Sequence, residues 1–223
     1  MLSILDSTAA FLYVKAVYLK KSWTIGVAVF LVSKRIFDIF FSIVGLLLVG
    51  WVILFAYVLA CIETRANGFF LQDRVGKDGR LFKVMKIRTM ITSHPSSSTV
   101  TLSNDPRITR LGRVFRKLKI DELPQLINVF LGHMSFVGPR PDVPGYADRL
   151  VGEERRLLSV RPGITGPATL KYRNEEQLLA AQDDPERYNQ EVVWPDKVRI
   201  NLDYIQRWSL AKDMRYIWQT FFR

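Results

Sequence analysis

Residues 39–62 read IFFSIVGLLLVGWVILFAYVLACI, a run without a single formal charge. As a straight helix it would extend about 36 Å, enough for a hydrocarbon core of about 30 Å. Its flanks decide how it is used. Lys34-Arg35 precede it, and Arg65, Arg74, Lys77 and Arg80 follow it. Positive charge marks the cytoplasmic side of a membrane segment, so both ends belong on one face. A helix that dips in and returns, or lies in one leaflet, satisfies both flanks. Gly45 and Gly50 offer soft points for a bend, although no proline forces one.

The rest of the chain is consistent with a membrane partner. Of 223 residues 48% are hydrophobic, and the formal net charge is +11. Such a balance calls for a polyanion: anionic lipid, nucleotide or nucleic acid. The apolar run favours lipid, and no nucleic-acid-binding motif is recognisable. The one cysteine, Cys61, lies inside the run, which rules out a disulfide framework or a zinc site and fits a reducing, cytoplasmic face. The N-terminus lacks the pattern of a cleaved signal peptide, since Lys15, Lys20 and Lys21 come late. Two short apolar patches, 9–18 and 23–32, flank Lys20-Lys21, and each is too short to span alone. The serine-rich stretch 93–103 reads as a mobile loop.

Downstream, 69–72 and 81–85 read as short strands around the turn Gly76-Lys77-Asp78-Gly79. Asp105-Pro106 suit a helix start, after which Ile108, Leu111, Phe115 and Leu118 form an apolar stripe opposite Arg110, Arg113, Arg116 and Lys117. That basic face leads into two adjacent acids, Asp121-Glu122. Asp121 is expected to cap a helix running from Leu123 to about Leu131, with Pro124 in its first turn. Paired carboxylates ringed by fixed positive charge suit phosphate chemistry, one acid as nucleophile or base and the other holding a divalent metal. Two rigid turns, Gly138-Pro139-Arg140-Pro141 and 161–166, each hold an arginine between proline or glycine residues. The last stretch, 196–223, mixes aromatic and basic residues as an interfacial or core-packing amphipathic helix.

These segments together resemble the bacterial sugar transferases, the monotopic phosphoglycosyl transferase family. The resemblance covers about residue 34 to the C-terminus. It is carried by Lys34-Arg35-Ile36-Phe37-Asp38, Gln72-Asp73-Arg74-Val75-Gly76, Lys86-Ile87-Arg88-Thr89-Met90, the stretch 120–129 (IDELPQLINV), 134–141 (MSFVGPRP) and 161–166 (RPGITG). It implies an α+β, mostly helical protein. Residues 1–33 would be an extension, interfacial or helping a homo-oligomer assemble. Residues 34–66 would be a membrane-inserted, re-entrant helix, and 67–223 a cytosolic catalytic domain with interfacial helices.

The implied reaction moves a sugar-1-phosphate from a nucleoside diphosphate sugar, usually a UDP-sugar, to polyprenol phosphate. UMP is released and a surface glycan is begun on the bacterial cytoplasmic membrane. By its motif position Asp121 would be the catalytic nucleophile, and Glu122 its catalytic partner and the ligand of Mg2+. Lys86, Arg116 and Arg140 would lie around the diphosphate, with Arg161 added from its loop alone. One departure is plain. The family commonly places Ser-Pro midway along its membrane helix, and this chain has Gly50-Trp51. A non-catalytic membrane scaffold is the competing reading; it has no need of both acids.

Overall fold

A computed structural model describes residues 3–91 and 105–222, with side chains described from Val32 onward except Glu176. The stretch 93–103, expected as a loop, lies outside the described residues. The chain divides into two compact units, Met1–Phe37 and Asp38–Arg223. The backbone is helical from Ser3 to Thr64 (α1). From Val32 to Thr64 α1 is long and apolar enough to cross a bilayer. The helical assignment continues through Gly50-Trp51 without a break.

Within the larger unit, α1 from Asp38 onward shows two faces. Asp38, Ser42, Ile53, Ala56, Ala60 and Thr64 are buried, a recurrence every three to four residues that keeps them on one side of the helix. Leu47, Leu48, Trp51, Leu54, Phe55 and Ile62 stay more than 60% exposed. The buried face docks on the rest of the unit along its length. Asp38 accepts hydrogen bonds from Ser135 Oγ (3.0 Å) and the Phe136 amide (3.1 Å). A Cβ placed on Gly45 would meet a Leu126 methyl at 3.2 Å. Ile53, Ala56 and Ala60 share a core with Ile87 and Phe115, and Glu63 accepts the Leu111 amide at 3.1 Å.

Strands β1 (Phe69–Val75) and β2 (Leu81–Ile87) form the expected antiparallel hairpin around a 3-10 turn, longer than the sequence indicated. The next helix, α2 (Arg110–Lys117), begins later than expected. Thr109 is its cap, accepting the Gly112 amide at 2.9 Å, while Asp105 is engaged by the Arg107 guanidinium instead. Leu118, assigned to the apolar stripe, is 62% exposed, because α2 ends at Lys117 and the chain turns away there.

A second correction concerns the acids. Asp121 does not cap a helix; it lies in a 3-10 turn, Ile120–Glu122, and α3 (Gln125–Leu131) starts beyond it, behind Pro124. Pro124 has no N–H to donate to the Ile120 carbonyl, so that carbonyl accepts from Leu123 at 3.2 Å instead. Lys119, at φ 58°, makes the left-handed step that separates this turn from α2.

The two arginine-bearing turns prove to be strand ends. β3 (Ser135–Val137) and β4 (Gly163–Thr165) pair in parallel, bringing the Gly138–Pro141 and Arg161–Gly166 segments side by side. The contact is so close that a Cβ on Gly163 would sit 2.1 Å from the Gly138 nitrogen. After β4 come the short helices α4 (Pro167–Lys171), α5 (Glu175–Ala180) and α6 (Pro185–Tyr188). The C-terminal stretch is two helices, α7 (Trp194–Gln206) and α8 (Leu210–Phe222), locked by buried Asp213, which accepts from Tyr204 Oη (2.7 Å) and Trp208 Nε1 (2.9 Å). The α8 face carrying Met214, Trp218, Phe221 and Phe222 is exposed.

The two glycine environments predict opposite outcomes. Gly163→Ala forces backbone atoms apart and should cost more than about 3 kcal/mol, or abolish folding. At Gly50 a Cβ meets nothing within 4 Å, and Gly50→Ala should be neutral or stabilising by up to about 1 kcal/mol. Denaturation of the detergent-solubilised variants measures both.

Candidate active site

Three separate stretches of chain meet at Glu122. Its Oε1 accepts Lys86 Nζ from β2 at 3.2 Å and Arg140 Nη2, from the loop after β3, at 2.8 Å. The Glu122 side chain is 14% exposed and Arg140 45%, so the anion is set in the floor while its arginine partner reaches toward solvent. Burial alone would raise the Glu122 pKa; the charges of Arg140 and Lys86 outweigh it and hold the carboxyl well below the usual range. Burial lowers the Lys86 pKa, and Glu122 works against that.

Asp121 is buried, and its Oδ1 has no hydrogen-bond partner among the described residues. An orphan carboxylate oxygen in a folded interior is costly and asks for a reason. Burial and the neighbouring Glu122 raise its pKa, with Lys86, Lys119 and Arg116 pulling the other way. Burial thus makes Asp121 more basic than an exposed aspartate, with cations close by.

The supports of this group come from the same segments. Asn128 on α3 acts as a surrogate strand for β2: its Oδ1 accepts the Met85 amide (2.9 Å) and its Nδ2 donates to the Lys83 carbonyl (2.8 Å). That pair fixes Lys86 against the acid turn. Arg116 donates from Nε to Thr89 Oγ1 (3.0 Å), tying α2 to the segment after β2. Beneath the acids, Ile120 and Leu123 pack onto the core made with α1. Arg161 is placed differently. Its Nε donates to the Gly132 carbonyl at 2.7 Å, a bond that ties β4 to the end of α3, and no described contact joins it to Glu122.

Four further charged residues, Arg74, Asp142, Glu175 and Lys197, border the site and were not assigned to it from sequence. Arg74 donates to Gln72 and to the Pro141 carbonyl (3.1 Å), and the Val75 amide donates to the Asp142 carbonyl (2.9 Å), so the end of β1 pins the Arg140–Asp142 backbone. Burial pushes the Asp142 carboxyl up to about 6, against the charges of Lys197, Arg74 and Arg140. Lys197 of α7 pairs with Glu175 of α5 at 2.6 Å. Arg74 was visible as part of a motif, but nothing in the local sequence connects residues 175 and 197 to this place.

Among the described residues no group of three or more metal-binding side chains gathers, so these residues alone do not cage a divalent cation. Magnesium sites at phosphates need only one or two carboxylates, the shell being completed by phosphate oxygens and water. Glu122, whose two bonds both fall on Oε1, and the orphan oxygen of Asp121 fit that requirement.

A family model described as bacterial sugar transferase matches residues 29–223. The exopolysaccharide production protein PSS of Rhizobium leguminosarum bv. phaseoli is 38% identical over 198 residues, 85% of this chain and 94% of that protein. The undecaprenyl-phosphate glucose phosphotransferase of Komagataeibacter xylinus is 36% identical over 198 residues, 85% of this chain and 35% of that longer protein. The UDP-galactose-lipid carrier transferase of Erwinia amylovora is 33% identical over 207 residues, 84% of this chain and 39% of that protein.

Asp142 gives a pH test. Its folded value, about 6, lies above the ordinary 3.8, so the folded state binds the extra proton. The contribution of Asp142 to stability is therefore fully present below about pH 4 and is lost as pH rises through about 6. Asp142→Asn should leave stability unchanged near pH 4 and raise it by up to about 3 kcal/mol at pH 7–8. Thermal melts across that range measure the difference.

Proposed function

The chain belongs to the bacterial sugar transferase family, and we propose that it is a phosphoglycosyl transferase passing a sugar-1-phosphate from a UDP-sugar to a polyprenol phosphate of the undecaprenyl type. The observation that carries the reading is the acid pair itself. One carboxylate is neutralised by Lys86 and Arg140, and its neighbour is buried with an oxygen left unbonded. A scaffold gains nothing from that expense.

In this reading Asp121 attacks the phosphorus that carries the sugar. The new bond is a carboxyl–phosphate ester, the bond broken joins that phosphorus to the UMP oxygen, and UMP departs. Polyprenol phosphate then attacks the same phosphorus through one of its own oxygens and returns Asp121 to the carboxylate. An anionic nucleophile meets an anionic phosphate poorly, and the cations answer that: Lys86, Arg116 and Arg140 offset the diphosphate charge as it arrives and as UMP leaves. Arg140, nearly half exposed, is free to exchange its Glu122 bond for phosphate oxygens. Magnesium, held by Glu122 together with diphosphate oxygens, would add further charge neutralisation at the same place. The two half-reactions share one nucleophile, so kinetics should be ping-pong.

The membrane helix serves the acceptor. From Asp38 to Thr64 a straight helix rises about 39 Å, more than the hydrocarbon core. Yet Asp38 bonds to Ser135 and Phe136 while Glu63 bonds to Leu111, all within the same unit as the acids. A bilayer-crossing helix would carry Asp38 to the far side. Contacts at both ends and at Gly45 and Ile53 between them support an element that lies in one leaflet with both ends on the cytoplasmic face, the site beneath it and the lipid acceptor beside it.

Asp121→Asn should abolish UMP release from a UDP-sugar in the presence of polyprenol phosphate and magnesium, with membrane association intact; unchanged turnover would refute the assigned nucleophile. Glu122→Gln should lower turnover by about 10²-fold and alter its magnesium dependence, and indifference to chelators would count against the metal. For topology, Ser33→Cys and Ala66→Cys, each in a Cys61→Ser background, should react alike with an impermeant thiol reagent. Opposite labelling would establish a crossing helix.

A further inference from the structure

The basic face of α2 plays no part in the site chemistry apart from Arg116. At 100° per residue Arg110, Arg113 and Lys117 fall within about 60° of one another on the helix surface. All three are exposed, and none of their side chains has an ion-pair or hydrogen-bond partner among the described residues. The helix RLGRVFRK holds no acid to balance them. Next to this ridge, on the same solvent side, stand Val114 (48% exposed) and Leu118 (62% exposed). An ordinary solvated helix face has no reason to display a valine and a leucine among its arginines. A headgroup-facing one does: the guanidinium groups meet phosphates and the apolar side chains enter the acyl boundary.

The other side of α2 fixes where this face lies. Leu111 and Phe115 pack on Ile53, Ala56 and Ala60 of α1, and Glu63 of α1 accepts the Leu111 amide. The exposed face of α1 in the same region is Leu54, Phe55, Val58 and Ile62. The ridge therefore adjoins the apolar helix at the end where the acid turn begins, three residues after Lys117.

We propose that the outer face of α2, Arg110, Arg113 and Lys117 flanked by Val114 and Leu118, is a docking surface for the anionic phospholipid headgroups of the bilayer. It rests on the membrane reading of α1 given above and adds what that reading lacks, the contact that sets the height of Asp121 relative to the lipid phosphates. Each basic residue near an anionic surface contributes roughly fivefold to binding, so three contribute on the order of a hundredfold. Such attraction is weakened by salt.

A nitroxide on Val114→Cys, in a Cys61→Ser background, tests this on the full chain in vesicles. In phosphatidylcholine containing phosphatidylglycerol, collisions with a water-soluble relaxant should fall at least about threefold relative to phosphatidylcholine alone. The protection should vanish in high salt and in the Arg110→Gln, Arg113→Gln, Lys117→Gln variant. Equal accessibility in both vesicles would overturn the proposal. So would protection that arises only when polyprenol phosphate is added, which would make the ridge an acceptor site. Protection in detergent that grows with protein concentration would mean a second copy covers it, and would overturn it too. UMP release by the unlabelled protein in detergent is measured alongside. Its absence would defeat the enzymatic reading while leaving the label result to stand or fall by itself.

Discussion

The ion triad of Lys86, Glu122 and Arg140 is the constraint around which the larger unit is organised. It joins a hairpin strand, a 3-10 turn and the loop after a parallel strand pair, three segments with no local reason to meet. A buried glutamate with one partner removed is a strongly unfavourable group, so the segments must be held by something other than the charges. That support is supplied by contacts outside the triad. Asn128 stitches α3 to β2, Ile120 and Leu123 seat the acid turn on the core with α1, and Asp38 ties the start of the apolar face to Ser135 and Phe136.

In the proposed reaction the same arrangement lets a short domain serve a soluble donor and a lipid. The apolar helix is part of the wall under the site: its small buried residues, Ala56 and Ala60, allow close packing, and its bulky residues face outward. A side chain at Gly45 would crowd Leu126, while a Cβ at Gly50 would meet nothing within 4 Å. Glycine at position 50 therefore has no packing role. The indole of Trp51, exposed on the outer face, donates to the Leu48 carbonyl at 2.9 Å and so satisfies its N–H without water, which suits a tryptophan lying within hydrocarbon.

Much of this was legible in the sequence because it is written locally. The charge-free run, the hairpin turn at Gly76–Gly79, the acid pair and the Pro-Arg-Pro loop each declare themselves within a few residues. What failed was of two kinds. Helix starts were misplaced because capping competes with ion pairing: Asp105 went to Arg107, and the cap fell to Thr109. Pro124 was read as a first-turn proline, but it stands just before α3, and the Leu123 amide closes the 3-10 turn that holds the acids. The rest was invisible because it is non-local. Parallel pairing of β3 with β4, the use of Arg161 on a backbone carbonyl, and the arrival of Glu175 and Lys197 beside Asp142 depend on contacts between distant segments, and no window of sequence contains both partners.

The central claim is a covalent one, and mass spectrometry of the intact protein tests it most directly. Enzyme mixed with a competent UDP-sugar and magnesium, without polyprenol phosphate, and quenched in acid should gain the mass of one sugar phosphate. Peptide mapping should locate that mass on Asp121, and adding polyprenol phosphate before the quench should discharge it. Rapid turnover with no adduct at any time, or an adduct on another residue, would contradict the account.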